Sequence, residues 1–217
     1  MTPITVARWR PGEPSGPLRA MLERGGILAI PTESSYGLGA DPRNEKGVRA
    51  VFELKRRDGR KPLPVVVAGP QQLAEIGVDA AAPEVAPFLG LWPAPLSVVA
   101  PLRLALPAAA GETSVAVRVP DHAGLRELLR AVGPLTATSA NLAGEPPILD
   151  PQGCVDLLTG ADAIVVDGGQ LPGGAPSTLV ALRHGTLRVL RTGRYPVAEV
   201  ARRISAVAVE NPVERPC

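Results

Sequence analysis

Aromatic side chains are scarce: two Trp, two Tyr and two Phe in 217 residues. Six rings are too few for the stacking platform on which single-strand nucleic-acid binders lay successive bases. An excess of one charge is also absent. With 23 basic and 21 acidic residues the formal net charge is +2, so no global field draws the chain to nucleic acid or membrane, and any basic site must be local. Cysteine is limited to Cys154 and Cys217 and histidine to His122 and His184. Neither type falls at a metal-ligand spacing, and two reduced thiols fit a cytosolic protein. No apolar run approaches the roughly 18 residues of a membrane helix, and no charged segment followed by an apolar one opens the chain. These absences predict a cytoplasmic protein without membrane contact.

Two nucleotide-binding signatures are absent as well. No Gly-Lys-Ser/Thr occurs, and "GLGADP" begins like a dinucleotide fingerprint but has Pro42 where the third glycine belongs. Cys154 has no histidine near it in sequence, and buried cysteines are usually inert. His122 lies beside a helix cap and His184 in a hairpin turn, both structural placements. Covalent catalysis therefore lacks a good candidate.

What is present is 45% apolar composition, enough to bury one sizeable core. Apolar spacing and turn signals predict a helix from Ser15 to Arg24, a buried strand over Ile27–Pro31, and a helix capped by Asn44 whose Val48, Val51, Phe52 and Lys55 share one face. A strand over Leu63–Ala68 and short helices over "PQQLAEI" and Pro83–Leu91 follow. "SVAVRVP" alternates as a strand with Arg118 opposite the valine face, and Asp121 is expected to cap the helix that runs to Val132. "PLTATS" and "AIVVDGG" read as strands, with a helix over Pro151–Leu158 between them. "STLVALRHGTLRVLR" reads as a hairpin around His184-Gly185 that brings Ser177 and Arg191 together and sets Thr178 opposite Arg191. Alternating strands and helices with one hairpin predict an α/β domain with a mixed sheet. The domain is expected over 1–195, with 196–217 forming a helix and a tail that has no evident core role.

The densest chemical signal is "ELKRRDGRKPLPVVVA", which sets Lys55, Arg56, Arg57, Arg60 and Lys61 against Asp58 just before a buried strand. Only three lysines occur, Lys46, Lys55 and Lys61, so the other 20 of the 23 basic residues are arginine. Lysine at both ends of this cluster suggests that an ammonium group is wanted there. Taken alone, the cluster also fits a solvated helix end, where cations are favoured in any case.

"PTESSYGLGA", "LKRRDGRKPLPVVV", "VAVRVPDH", "TATSANLAGEPP", "PSTLV" and "VLRTG" occur in that order. Together they resemble the YrdC-like family of L-threonylcarbamoyladenylate synthases over roughly Gly16 to Arg194. The resemblance implies a single α/β domain of the YrdC/RibB-like kind, with a twisted sheet of parallel and antiparallel strands, helices around it and a concave basic cavity. It also implies a nucleotidyltransferase reaction in which L-threonine, bicarbonate and ATP give threonylcarbamoyl-AMP and pyrophosphate, the first step in making threonylcarbamoyladenosine in tRNA. Mg²⁺ would arrive with ATP, with no metal held by the protein. A downstream tRNA threonylcarbamoyl-transferase complex would take the product, and tRNA itself is a further candidate partner.

By the same resemblance, the Lys-x-Arg signature falls on Lys55 and Arg57 and the Ser-x-Asn signature on Ser139 and Asn141, the four expected catalytic residues. Arg57, Lys61, Ser114, Ala140 (through its backbone) and Arg191 would line the ATP site. Ser34, Arg118, Thr138 and Ser177 would hold threonine, with Thr32 beside them. Asp58 departs from the family pattern, where many relatives have proline. In the implied chemistry a threonine carbamate attacks the α-phosphate of ATP, so two anions must be brought together, which calls for preorganised cations and donors. Arginine would serve as a bidentate fork and lysine as a compact point charge on phosphate. Because Lys55 and Arg57 lie at a helix end, their removal is expected to spare the fold. Two other readings stay open: a non-catalytic RNA-binding module assisting ribosome maturation, and a carbamoyl-transfer domain of a larger maturation enzyme. The latter would be expected to bring zinc-type cysteine motifs and an acylphosphatase segment, which are absent.

Overall fold

The structure is a computed structural model that describes residues 4–56 and 61–210. Arg57 and Asp58 lie outside the described residues.

The first helix, α1 (Gly16–Glu23), buries Leu18, Met21 and Leu22 at helical spacing and stops at Gly25, whose φ of +83° suits a residue without Cβ. Each of these side chains contributes roughly 1.5–3 kcal/mol by leaving water. Strand β2 (Ile27–Pro31) follows and is buried along its whole length. Its alternate residues serve two cores: Ile27 and Ala29 face the main one, while Leu28 and Ile30 face a second, under α1 and a later helix.

Strand β2 lies in a five-stranded sheet. Its neighbours are β3 (Tyr36–Gly39), antiparallel, and β9 (Ala163–Val166), parallel; β1 (Thr5–Ala7) and β8 (Thr138–Ser139) form the edges. A seven-stranded sheet contains β4 (Val65–Val66), β5 (Leu96–Pro101), β6 (Ser114–Arg118), β7 (Leu135–Thr136), β10 (Thr178–Arg183), β11 (Thr186–Arg191) and β12 (Ala208–Glu210). The expected mixture of parallel and antiparallel pairs is thus present, shared between two sheets. The chain crosses from one sheet to the other between β7 and β8, at Ala137. Thr136 ties the crossing, accepting from Ala40 N at 2.9 Å and donating to Leu38 O at 3.1 Å.

Helix α2 (Glu45–Leu54) begins where expected, with the Asn44 side chain accepting from the backbone N–H groups of Lys46 and Gly47. Helix α3 (Ala123–Val132) corrects the expected cap. His122, one residue after Asp121, accepts from Leu125 N through Nδ1 at 2.9 Å, while the N–H of Asp121 is turned towards Glu33. Helix α4 (Pro151–Leu158) is capped by Asp150. The two short helices expected near 70–91 are 3₁₀ turns, Pro70–Gln72, Ala74–Ile76 and Ala86–Leu91, because Gly77 at φ +75° ends the first pair and Pro87 lacks the N–H of a longer helix.

The hairpin turns at His184 (φ 51°) and Gly185 (φ 79°) as expected, and Leu182 faces Leu187. A bulge between Leu179 and Val180 then shifts the register, so Arg191 pairs with Leu179 and not with Thr178. Thr178 Oγ1 is the cause: it donates to Tyr195 O at 2.7 Å and accepts from Gly193 N and Tyr195 N, drawing the strand's start towards the following loop. After Tyr195, helix α5 (Val197–Arg203) buries Val200 in the main core, and β12 adds a parallel strand to β11, so the tail contributes more to the sheet than its composition suggests.

Candidate active site

Where the two sheets diverge at Ala137, the structure holds a cavity of about 660 Å³. Its wall carries the cations Lys55, Arg56, Lys61, Arg118 and Arg191 and, among the described residues, no carboxylate. The β2–β3 loop brings Thr32 and Ser34 to it, the crossing brings Thr138, Ser139 and Asn141, and the loop leading into β10 brings Ser177. Ten of the expected residues therefore converge from segments far apart in sequence.

Two expectations are not met within it, and a third cannot be placed. Ala140 is fully buried and both its backbone groups are spent inside the protein, the N–H on Tyr36 O and the carbonyl on Ile148 N. Its N–H is therefore already committed, while the carbonyl keeps a second lone pair. Ser114 shares the face of β6 with Ala116 and Arg118 but pairs with Pro101 at the far end of the strand, outside the lining. Arg57 belongs to the segment outside the described residues.

Lys55 is the most constrained cation. Only 5% exposed, it donates from Nζ to Ser139 O at 2.6 Å, Asn141 O at 2.9 Å and Asn141 Oδ1 at 2.8 Å. Ser139 Oγ donates to the same Oδ1 at 2.7 Å, and Asn141 Nδ2 donates to Glu145 O. Three oxygens converging on one point match an ammonium with three N–H donors and do not match a planar guanidinium fork. Lysine here shapes the 139–141 loop, a different reason for the ammonium than the phosphate contact expected from sequence. Removing Lys55 would leave several acceptors uncompensated, so the expected indifference of the fold to its loss is corrected.

Arg118 is held by a residue that sequence reasoning missed. Its Nη1 donates to Glu33 Oε1 at 2.6 Å, and that oxygen also accepts from Asp121 N at 2.8 Å. Burial alone would raise the Glu33 carboxyl, but the Arg118 charge and these hydrogen bonds outweigh it and hold the group below the ordinary carboxylate range. Glu33 does not line the cavity and stands behind Arg118. The only signal in sequence was an acid inside "PTESS", between two residues already singled out.

Arg191 lines the same cavity. It donates from Nη2 to Ser177 O at 2.9 Å and to Ser177 Oγ at 3.2 Å, and from Nε to Ser177 O at 3.2 Å. Ser177 Oγ in turn meets Ser97 Oγ at 2.9 Å, adding Ser97 as a second unforeseen residue. Burial first, and then the Arg118 charge, push the Arg191 guanidinium below its usual value. The loop after Arg191 passes hard against β10: a Cβ at Gly193 would lie 2.3 Å from Pro176 O. Thr32 Oγ1 donates to Ser35 O at 2.7 Å, whereas the hydroxyls of Ser34 and Thr138 have no protein partner among the described residues. The cavity can thus offer one compensated guanidinium, one uncompensated guanidinium, further cations and unspent hydroxyls to an anionic, hydroxyl-bearing ligand.

The family model of Sua5, YciO and YrdC proteins, described as "telomere recombination", matches residues 20–193. A threonylcarbamoyl-AMP synthase of Thiobacillus denitrificans is 38% identical over 188 residues, which are 85% of this chain and 98% of the relative. One from Pyrococcus abyssi is 32% identical over 193 residues, 87% of this chain, and this chain spans 56% of the length of that relative. The solved structure of P. abyssi Sua5 complexed with L-threonine superposes with a TM-score of 0.80 at 31% identity, covering 96% of this chain and 63% of that one. The chain belongs to the Sua5/YciO/YrdC family.

Proposed function

We propose that this chain joins L-threonine, bicarbonate and ATP into threonylcarbamoyl-AMP with release of pyrophosphate. The observation that carries the reading is a cavity wall of five cations without a carboxylate among the described residues, interrupted only by hydroxyls, an amide and apolar groups. Such a wall fits a polyanion and a small polar molecule side by side. Relatives named threonylcarbamoyl-AMP synthase support the choice of reaction, and the threonine complex of the P. abyssi protein supports the choice of amino acid.

In this reaction the threonine nitrogen loses a proton and bonds to the bicarbonate carbon as a C–O bond there breaks and the oxygen leaves as water; an oxygen of the resulting carbamate then attacks the α-phosphorus as the bond to pyrophosphate breaks. Arg118 takes the threonine carboxylate, and the hydroxyls of Ser34 and Thr138 engage its side chain. Lys61 and Arg191 face the phosphates and stabilise charge on the leaving pyrophosphate. Lys55 acts one step back, holding Ser139 and Asn141 in place. Among the described residues no group of three or more His, Cys, Asp or Glu could hold a metal ion, and Mg²⁺ would enter with the nucleotide and supply charge neutralisation there.

The product is a mixed anhydride, an activated acyl donor that a downstream transferase must consume, and the tRNA-modifying transferase is the consumer that fits this reaction. A cytoplasmic site of action fits this role. Among the described residues no helix is long and apolar enough to cross a membrane. The non-catalytic RNA-binding reading is not favoured: the cations converge inside a cavity, and Tyr36, the aromatic residue in its lining, is fully buried with its hydroxyl spent on Gly168 and Gly169. The test is to incubate the pure protein with ATP, Mg²⁺, bicarbonate and labelled threonine. An adenylated threonyl carbamate, with pyrophosphate released only when threonine and bicarbonate are both present, is expected; equal release without either would overturn the reading.

A further inference from the structure

Two guanidiniums face one cavity, and they are treated differently. Arg118, with 13% of its side chain exposed, is ion-paired with Glu33, whose own side chain is 10% exposed. Glu33 is fixed from two further directions, its carboxylate by Asp121 N and its carbonyl by Arg194 Nη1 at 3.3 Å. Arg191 donates to the oxygens of Ser177, all of them neutral. A compensated guanidinium keeps its geometry and remaining donors while its net charge is cancelled, whereas an uncompensated one attracts phosphate strongly.

We propose that Glu33 is a positioning residue that makes the two guanidiniums electrically distinct, reserving Arg118 for the carboxylate of a zwitterionic amino acid and denying it to phosphate. The inference rests on the proposed function for its assignment of Arg118 to the amino-acid carboxylate. The distinction answers a problem the cavity wall creates. Five cations on one wall would let a triphosphate settle anywhere along it, including over the amino-acid position. Glu33 lies outside the lining and so cancels charge there without presenting a carboxylate to the ligands. One of its oxygens takes both the guanidinium and a backbone N–H, which pins the Arg118 side chain while the Nη2 and Nε donors keep no protein partner among the described residues.

The experiment titrates the full chain calorimetrically with L-threonine and, separately, with inorganic phosphate, in wild type, Glu33→Gln and Glu33→Asp. Glu33→Gln is expected to weaken threonine about tenfold, by loss of a charge-assisted hydrogen bond that orients Arg118, and to tighten phosphate by a similar factor. The KM for ATP at saturating threonine should stay within about twofold, since Lys61 and Arg191 keep their own donors. Glu33→Asp, one methylene shorter, keeps the charge and loses the close contact, so threonine should weaken while phosphate stays excluded; this variant carries the test if Glu33→Gln folds poorly. A merely structural Glu33 would weaken both ligands together, and that outcome, or unchanged titrations in Glu33→Gln, overturns the proposal. Wild type that takes up no threonine would instead defeat the proposed function, and the phosphate arm would still read the compensation by Glu33.

Discussion

Lys55 and Asn141 are 86 residues apart in the chain and meet at 2.8 Å, the lysine ammonium donating to the asparagine amide oxygen while also holding the carbonyls of Ser139 and Asn141. Helix α2 thereby fixes the loop that carries two of the residues facing the cavity. The contact joins the end of a helix to the edge of the five-stranded sheet, so the site requires both elements in place.

Lys55→Ala should cost stability as well as turnover. Leaving buried acceptors unsatisfied costs about 1–3 kcal/mol per group, and loss of a preorganised loop should lower turnover on the order of 10²–10³. Lys55→Arg should fail to rescue, because a planar fork does not converge on three oxygens. Urea denaturation and pyrophosphate release measure the two effects. Wild-type values in Lys55→Arg would show that the clamp is not what demands lysine.

The hydroxyls of Ser34 and Thr138, without protein partners among the described residues, should rank the amino acids. Serine loses only a methyl, which a pocket converts into about 1–3 kcal/mol, and should be a poor substrate. Valine keeps the methyl and lacks the hydroxyl, leaving donors unpaired, so its kcat/KM should fall below that of serine. An equal or better valine would show that these hydroxyls read something other than the side chain.

Acid should attack the Arg118–Glu33 pair. Its carboxyl lies below the ordinary range in the folded protein and near 4.3 in an unfolded chain. The pair therefore adds stability at pH above the unfolded value and loses it as pH falls through the lower folded one. The difference in urea midpoint between wild type and Glu33→Gln should be largest near about pH 7 and shrink below about pH 4. A difference that stays constant over this span would mean that Glu33 acts through its shape alone.

Cys154, fully buried on α4, has its thiol pushed up to about 12, chiefly by burial and secondarily by the Asp150 charge. Thiolate at pH 8 is then on the order of one part in 10⁴. Peptide mapping after alkylation should find Cys154 unmodified in the native protein and modified once denaturant is added. Rapid native labelling would contradict its burial.

Much of the fold was legible because its determinants are local. The Asn44 cap, the Leu18–Met21–Leu22 stripe, the alternation of Val115 and Val117 and the His184-Gly185 turn each act within a few residues, where helix period, strand period and turn chemistry decide conformation. Neighbouring capping candidates were less separable: Asp121 and His122 both suit the position, and the approach of Glu33 to the Asp121 N–H settles which one serves. The bulge at Leu179 likewise depends on Thr178 meeting Gly193 and Tyr195, beyond the reach of hairpin counting.

By itself, the sequence determined the order of motifs, the local elements that present them and the types of side chain available: cations, hydroxyls and an amide, with no plausible enzyme nucleophile. Tertiary structure alone decided what each does. Lys55 bonds across 84 and 86 residues and Arg118 meets Glu33 across 85, while Ala140 spends its backbone on its neighbours and Ser114 falls outside the wall. The physical reason is that an ammonium or guanidinium bonds whatever oxygen the packed sheets bring within about 3 Å, and that proximity is set by the crossing at Ala137 and the two cores on either side of β2, not by any spacing along the chain.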